Sequence, residues 1–239
     1  MYIRPYVIIN GVNSTSITGL LITDLGVISK PPVKTLVEEV DGRDGDIVTP
    51  LGFGATDRVI KIGLTNNYNI DEVIKYFNSE GIITFSNEPD KYYRFAIYEQ
   101  IDFERLIRYK TAEVTLHLQP FKFNVDETEQ ETNIITSPAT VSVYNSGNYY
   151  ARPIIKITGS GNITISLNGS QVLLLALGST SRTIIIDSEK MNAYAVDNTL
   201  LNRLVTGNYD NIKLNVGANS FTLSGSVSKF IIDRYSRWI

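Results

Sequence analysis

The chain has 239 residues, 43% of them hydrophobic, with a formal net charge of −3, which is the composition of a globular protein rather than a disordered one. It contains no cysteine, which excludes disulfides, thiolate metal sites and cysteine nucleophiles. No apolar run approaches the ~20 residues of a membrane helix, and the N-terminal "MYIRPYVIINGVN" is too short in apolar residues for a signal peptide, so synthesis in the cytoplasm is expected.

Charge is unevenly placed. Residues 1–133 hold 13 Lys/Arg and 20 Asp/Glu, a net of −7; residues 134–239 hold 9 and 5, a net of +4. The asymmetry points to two modules, neither basic enough for a reader of duplex DNA.

Most of the chain reads as short strands. "PYVIINGVN" ends an apolar run on Asn10-Gly11, a pair that accepts positive φ at both turn positions and favours a hairpin. In "VEEVDGRDGDIV", Asp41, Gly42, Arg43, Asp44, Gly45 and Asp46 form an acidic, glycine-rich loop. Counted from Asp41 or from Asp44, its oxygens miss the spacing of a helix–loop–helix calcium site. One reading is a solvated turn whose aspartates bond local amides; the other is a subunit contact with Arg43 as bidentate donor.

"RVIKIGL" places Ile60, Ile62 and Leu64 on one face. "NIDEVIKYFNSEG" carries the apolar stripe Ile70, Val73, Ile74 and Phe77 of an amphipathic helix. Asn69 is its expected cap, Glu72 the reciprocal capping-box partner, and Gly81 the left-handed stop. "TAEVTLHLQP" alternates, with Ala112, Val114, Leu116 and Leu118 inward, and Pro120 is expected to end its pairing. The polar, acidic "NVDETEQETN" then reads as a linker or long surface loop. Beyond it come "RPIIKIT", a "GSG" turn, "NITISL", an Asn168-Gly169 turn, "QVLLLAL" and "RTIIID". A short helical turn in "NTLLNRLVTGN" and the strands "IKLN", "NSFTLSG" and "KFIIDRY" complete a pattern that suggests a β-sandwich.

Chemistry is sparse. The glycines of "TGSGNIT" precede a strand, not the helix a dinucleotide site requires. His117 is the single histidine and lies on the polar face of its strand, so neither a triad nor a multi-histidine metal site is arguable. The pairs Glu38/Glu39 and Glu127/Glu129 lack any sign of meeting across a sugar. Tyr149, Tyr150, Tyr194 and Trp238 are candidates for a glycan or partner contact. Aromatics filling sheet faces is the plainer reading. No enzyme, metal or cofactor is expected.

Taken together and in order, several stretches resemble the distal tail proteins of long, non-contractile-tailed phages. They are "INGV", "VEEVDGRDGDIV" (against the family's E-x-GRDG), the helix "NIDEVIKYFNSEG", "VTLHLQPFKF", "NSGNYYARPIIKITGSGNITISLNG", "IIIDSEKMNAYAVDN", "LVTGNYDNIKLNVGANSFTLSGSV" and "RYSRWI". The resemblance implies a mainly β chain of two domains. Residues 1–124 would be a ring-forming, tail-tube-like β-sandwich with one α-helix. A linker at 125–133 would lead to a galectin-like β-sandwich at 134–239. It also implies a structural virion protein at the distal end of the tail. Such a protein forms a homo-hexameric ring between the tail tube protein and the tail-associated hub protein, and in many phages also carries a receptor-binding protein. DNA would cross the channel without specific binding. Asp41–Asp46 would then be a subunit contact. The alternative is a carbohydrate-binding β-sandwich protein acting through its C-terminal half.

Overall fold

The computed structural model describes residues 4–239; residues 1–3, the start of the stretch read for a signal peptide, lie outside it. Two compact units divide the chain, Met1–Val125 with Ile239, and Asp126–Trp238. The architecture is mainly β, and no described helix is long and apolar enough to cross a membrane.

In the first unit, β1 (Val7–Ile9) and β2 (Val12–Asn13) form the expected hairpin, with Asn10 and Gly11 at φ of 49° and 83°. The further strands are β3 (Leu20–Asp24), β4 (Val33–Glu38), β5 (Ile47–Phe53), β6 (Thr56–Leu64), β7 (Glu80–Phe85), β8 (Glu88–Ala96) and β9 (Thr111–Asn124). All but β4 and β5 join one antiparallel sheet in the order β2-β1-β7-β8-β9-β6-β3. Alternation buries Ile60, Ile62, Ala112, Val114, Leu116 and Leu118 on one face. Strands from both ends of the sheet contribute to a single core with Val73 and Phe77 of α1 (Ile70–Phe77) and Leu106 of α2 (Phe103–Tyr109). The Tyr76 hydroxyl donates to the Val7 carbonyl, 3.0 Å away, and ties α1 to β1. Burial in that position pushes the phenol well above its ordinary range.

Three local expectations change. Asn69 caps α1 through the amides of Asp71 and Glu72, but Glu72 makes no reciprocal box; its carboxylate accepts from the Thr18 amide at 3.3 Å. The Asn69 amide instead donates to the Thr18 carbonyl, so a tertiary bond has taken the place of the local one. Gly81 lies in β7 rather than at the helix end, and a Cβ there would sit 2.2 Å from the Asn10 side chain. Pro120 does not end β9; pairing resumes with Tyr93 opposite Lys122 after a bulge, a site where the missing amide costs no ladder bond. The unit also holds two helices, not one. The second starts on Asp102, whose carboxylate accepts from the Arg105 amide at 2.8 Å, and stops at Lys110 with φ 58°.

The second unit contains β10 (Gln130–Asn133), β11 (Ala139–Asn145), β12 (Ile154–Leu167), β13 (Ser170–Ala176), β14 (Arg182–Asp187), β15 (Asn192–Tyr194), β16 (Val205–Gly207) and β17 (Gly217–Asp233). "GSG" is not a hairpin turn, and "NSFTLSG" and "KFIIDRY" are not two strands. Each region is the middle of one long strand. Strands β12 and β17 pair along their lengths, with register breaks around Gly159 and Ser160. On one side of the break they are flanked by β14 and β10, on the other by β13 and β11. Inward residues from both sides, such as Ile155, Ile157, Ile163 and Ile165, share one core. The sheet therefore folds over itself into two layers. Backbones meet at the crease, where a Cβ on Gly159 would lie 2.3 Å from the Ser226 carbonyl oxygen. A Cβ on Gly225, at φ 112°, would lie 2.3 Å from that of Asn162. "IKLN" forms only a bridge, Leu214 to Ala151, and "NTLLNRLVTGN" gives a 3-10 turn, Asn202–Leu204, before β16.

The acidic stretch expected as a linker belongs to the second unit. Residues Gln130–Asn133 pair with β17. Its carboxylates meet cations of that unit: Glu127 with Arg234 (3.3 Å), Glu129 with Lys156 (2.5 Å) and Glu131 with Lys229 (2.7 Å). With the division at Val125, the first unit holds 13 Lys/Arg against 16 Asp/Glu, and the second 9 against 9. The steep charge asymmetry came from placing these carboxylates on the wrong side of the boundary.

Candidate assembly surface

Strands β4 and β5 pair only with each other, from Val33 opposite Phe53 to Glu38 opposite Ile47, with a register shift between Lys34 and Thr35. An isolated two-stranded ribbon is marginal in water. Here the ribbon is anchored at its base, where Phe53 packs edge-on against Phe121 of β9 at 5.8 Å, but Val33, Leu36, Val37, Val40, Val48 and Leu51 are all exposed, Leu51 by 64%. Exposed apolar residues gathered in one element mark an interaction surface. Neither strand has a further strand beside it, so both edges also present free backbone donors and acceptors.

Asp41–Asp46 form the tip of this ribbon. The Arg43 amide donates to the Val40 carbonyl at 3.1 Å, and Gly42 and Gly45 sit at φ of 81° and 76°, which glycine adopts without strain. Every residue of the tip is exposed. Among the described residues, none of the three aspartates bonds a local amide and Arg43 makes no ion pair. Of the two readings, the turn whose aspartates bond local amides is not the one formed; the charged residues of the tip are exposed. No three described acidic or histidine side chains are placed to hold a metal ion.

In the second unit, Tyr149 and Tyr150 are brought together with ring centroids 4.5 Å apart. The guanidinium of Arg237 lies 4.5 Å from the Tyr150 centroid and 5.5 Å from that of Tyr149. It is buried, and its Nε donates to the Tyr150 carbonyl. Burial and the neighbouring Tyr150 push the Tyr149 phenol up from its ordinary value. Tyr194 lies on β15 opposite Ile185 and makes no ring contact with the other candidates. Trp238 is half-buried beside Arg237 in the chain. The four aromatics therefore do not form one platform.

His117 pairs through Nδ1 with Asp57 at 2.7 Å, across from it on β6, and the Tyr98 ring lies 5.3 Å away. No hydroxyl among the described residues is hydrogen-bonded to this pair. Glu127 and Glu129 are held in their ion pairs, while Glu38 and Glu39 stand exposed at the end of β4.

Among solved structures, the chain is similar to Dit (gp 19.1) of SPP1, described as a paradigm of hub adsorption apparatus in Gram-positive infecting phages. The TM-score is 0.65 at 15% identity, over 95% of this chain and 97% of that one. The two share a fold along their lengths, as the resemblance to distal tail proteins implied. An exo-β-1,3-galactanase from Phanerochaete chrysosporium matches with a TM-score of 0.23 and 9% identity, over 90% of this chain and 69% of that one, too low for any argument. No family model matches the chain, and no curated protein matches it.

Proposed function

We propose that the chain is a structural virion protein at the distal end of a phage tail, where it forms a homo-hexameric ring joining the tail tube to the host-adsorption apparatus. The observation that carries this reading is the fold likeness to SPP1 Dit, which extends over both units. The β4–β5 ribbon supports it independently. A cyclic ring uses one patch on each subunit against a different patch on the next, and an apolar ribbon with free edges is suited to such a contact. Asp41–Asp46 would then meet a neighbouring copy, with Arg43 paired to a carboxylate across the joint.

The partners on this reading are other copies of the chain, the tail tube protein above, the tail-associated hub protein below and a receptor-binding protein. DNA passes without specific binding. The first unit carries a small acidic excess, and on its open sheet face Lys61 lies 3.9 Å from Glu113. The carbohydrate-binding alternative loses its main support because Tyr194 stands apart from the Tyr149–Tyr150 pair. The test is the stoichiometry of the full chain and of Arg43→Ala, measured by light scattering with electron microscopy. A wild-type ring that Arg43→Ala weakens supports the proposal; a monomeric wild type opposes it.

A further inference from the structure

Beneath the segment that leads from β3 towards β4, the first unit has a partly open cavity of about 20 Å³ whose lining includes Val27, Ile28, Leu118, Thr56, Arg58 and Lys122. Its size suits one water-sized occupant. Arg58 is 3% exposed. Its Nε donates to the Leu25 carbonyl at 2.6 Å, and its plane lies 3.7 Å from the Phe85 ring centroid. Nη1 of Arg58 and Oγ1 of Thr56 are buried and make no hydrogen bond within the protein.

The nearest carboxylate does not answer this charge. Glu88 Oε1 accepts from Lys122 at 2.6 Å and Oε2 from the Tyr93 hydroxyl at 2.8 Å, leaving Arg58 Nη1 at 3.8 Å. Asp24, the other carboxylate acting on Arg58, accepts from the Gly26 amide and is exposed. Lys122 and the buried Arg58 thus share the partly exposed Glu88, and a buried charge without a close partner is costly. The remaining donors, an N–H of a guanidinium and a rotatable hydroxyl, belong to two residues that line the same small space, with apolar side chains and Lys122 around them.

We propose that this cavity binds a single small anion of chloride's size and charge, held by Arg58 Nη1 and Thr56 Oγ1. Because Arg58 also bonds Leu25, the ion would fasten the segment that leads into the β4–β5 ribbon.

The experiment compares thermal unfolding of the full chain in chloride and in gluconate at equal ionic strength, since gluconate is too large to enter. Raising chloride from about 10 to about 300 mM is expected to raise Tm by several degrees, with the gain reduced in Thr56→Val and absent in Arg58→Gln. Crystals grown in bromide are expected to show an anomalous peak against Arg58 Nη1, a readout that does not depend on either variant folding. Equal Tm in the two salts, an undiminished chloride effect in Thr56→Val, or a water without anomalous signal at the site would each overturn the proposal.

Discussion

The phenyl rings of Phe221 and Phe230 lie with centroids 5.3 Å apart, although both residues belong to β17. Extended, the nine residue steps from one to the other would span about 30 Å. Their contact is possible only because β17 doubles back at the Gly225 crease and brings the two layers of the second unit face to face. Phe230→Ala is expected to cost about 3–5 kcal/mol by opening a cavity between the layers. Gly225→Ala adds both a backbone clash and a strained positive φ, and is expected to cost at least about 2 kcal/mol. Urea denaturation of the full chain measures both; a Gly225→Ala variant as stable as wild type would show that the crease does not need glycine.

The ion pairs of the acidic segment differ in worth. Glu127 is nearly buried against Arg234, and its other oxygen accepts from the Ser236 amide at 2.7 Å. Glu131 and Lys229 pair in the open. Glu127→Gln is expected to destabilise the second unit by about 3 kcal/mol, because it leaves a charge without its partner. Glu131→Gln is expected to change stability by less than about 0.5 kcal/mol. The same denaturation curves decide the ranking.

Asp233 carries a pH dependence of opposite sign to the usual carboxylate. Burial raises its pKa, with Glu127 and Glu129 adding repulsion, against a bond from the Tyr235 amide. The folded state thus holds this proton more tightly than the unfolded one. Its contribution is most favourable below the unfolded pKa near 3.8 and is lost as pH rises through the folded value. Asp233→Asn, which keeps an acceptor for Tyr235, is expected to be more stable than wild type at pH 7 and to lose that advantage towards pH 3. Melting curves across that range show the crossover or its absence.

Much of the fold was legible where the requirement is local. Asn10-Gly11 and Asn168-Gly169 occupy positive-φ turns, and the alternation of β9 buries the expected residues. A crease inside a strand, by contrast, has the same residues as a hairpin turn. Gly159 and Gly161 would serve either, and only the pairing of β12 with β17, distant in sequence, decides. The acidic run at 126–131 has the composition of a solvated loop, and its cationic partners lie far along the chain. Helix α2 left a usable signal in Asp102 as cap, but its one buried residue, Leu106, makes a stripe too thin to detect. Nothing in the sequence shows that β4 and β5 find no third strand, which is what makes Val37, Val48 and Leu51 candidates for assembly.

The ribbon separates folding from assembly. Val37 and Val48 face each other on it and are exposed, so Val37→Asp is expected to leave the circular dichroism spectrum and Tm close to wild type while abolishing higher-order species. Arg43→Ala is expected to weaken each subunit joint by about 2–5 kcal/mol. Loss of the monomer fold in either variant would make the ribbon part of domain structure instead.

The most direct measurement is the mass of the full chain in solution, taken by light scattering over a range of concentrations with electron micrographs of the same samples. A ring-forming tail subunit gives six-fold particles of six 26.7 kDa chains that do not retain DNA at physiological salt. A monomer at every concentration that binds a glycan would contradict it.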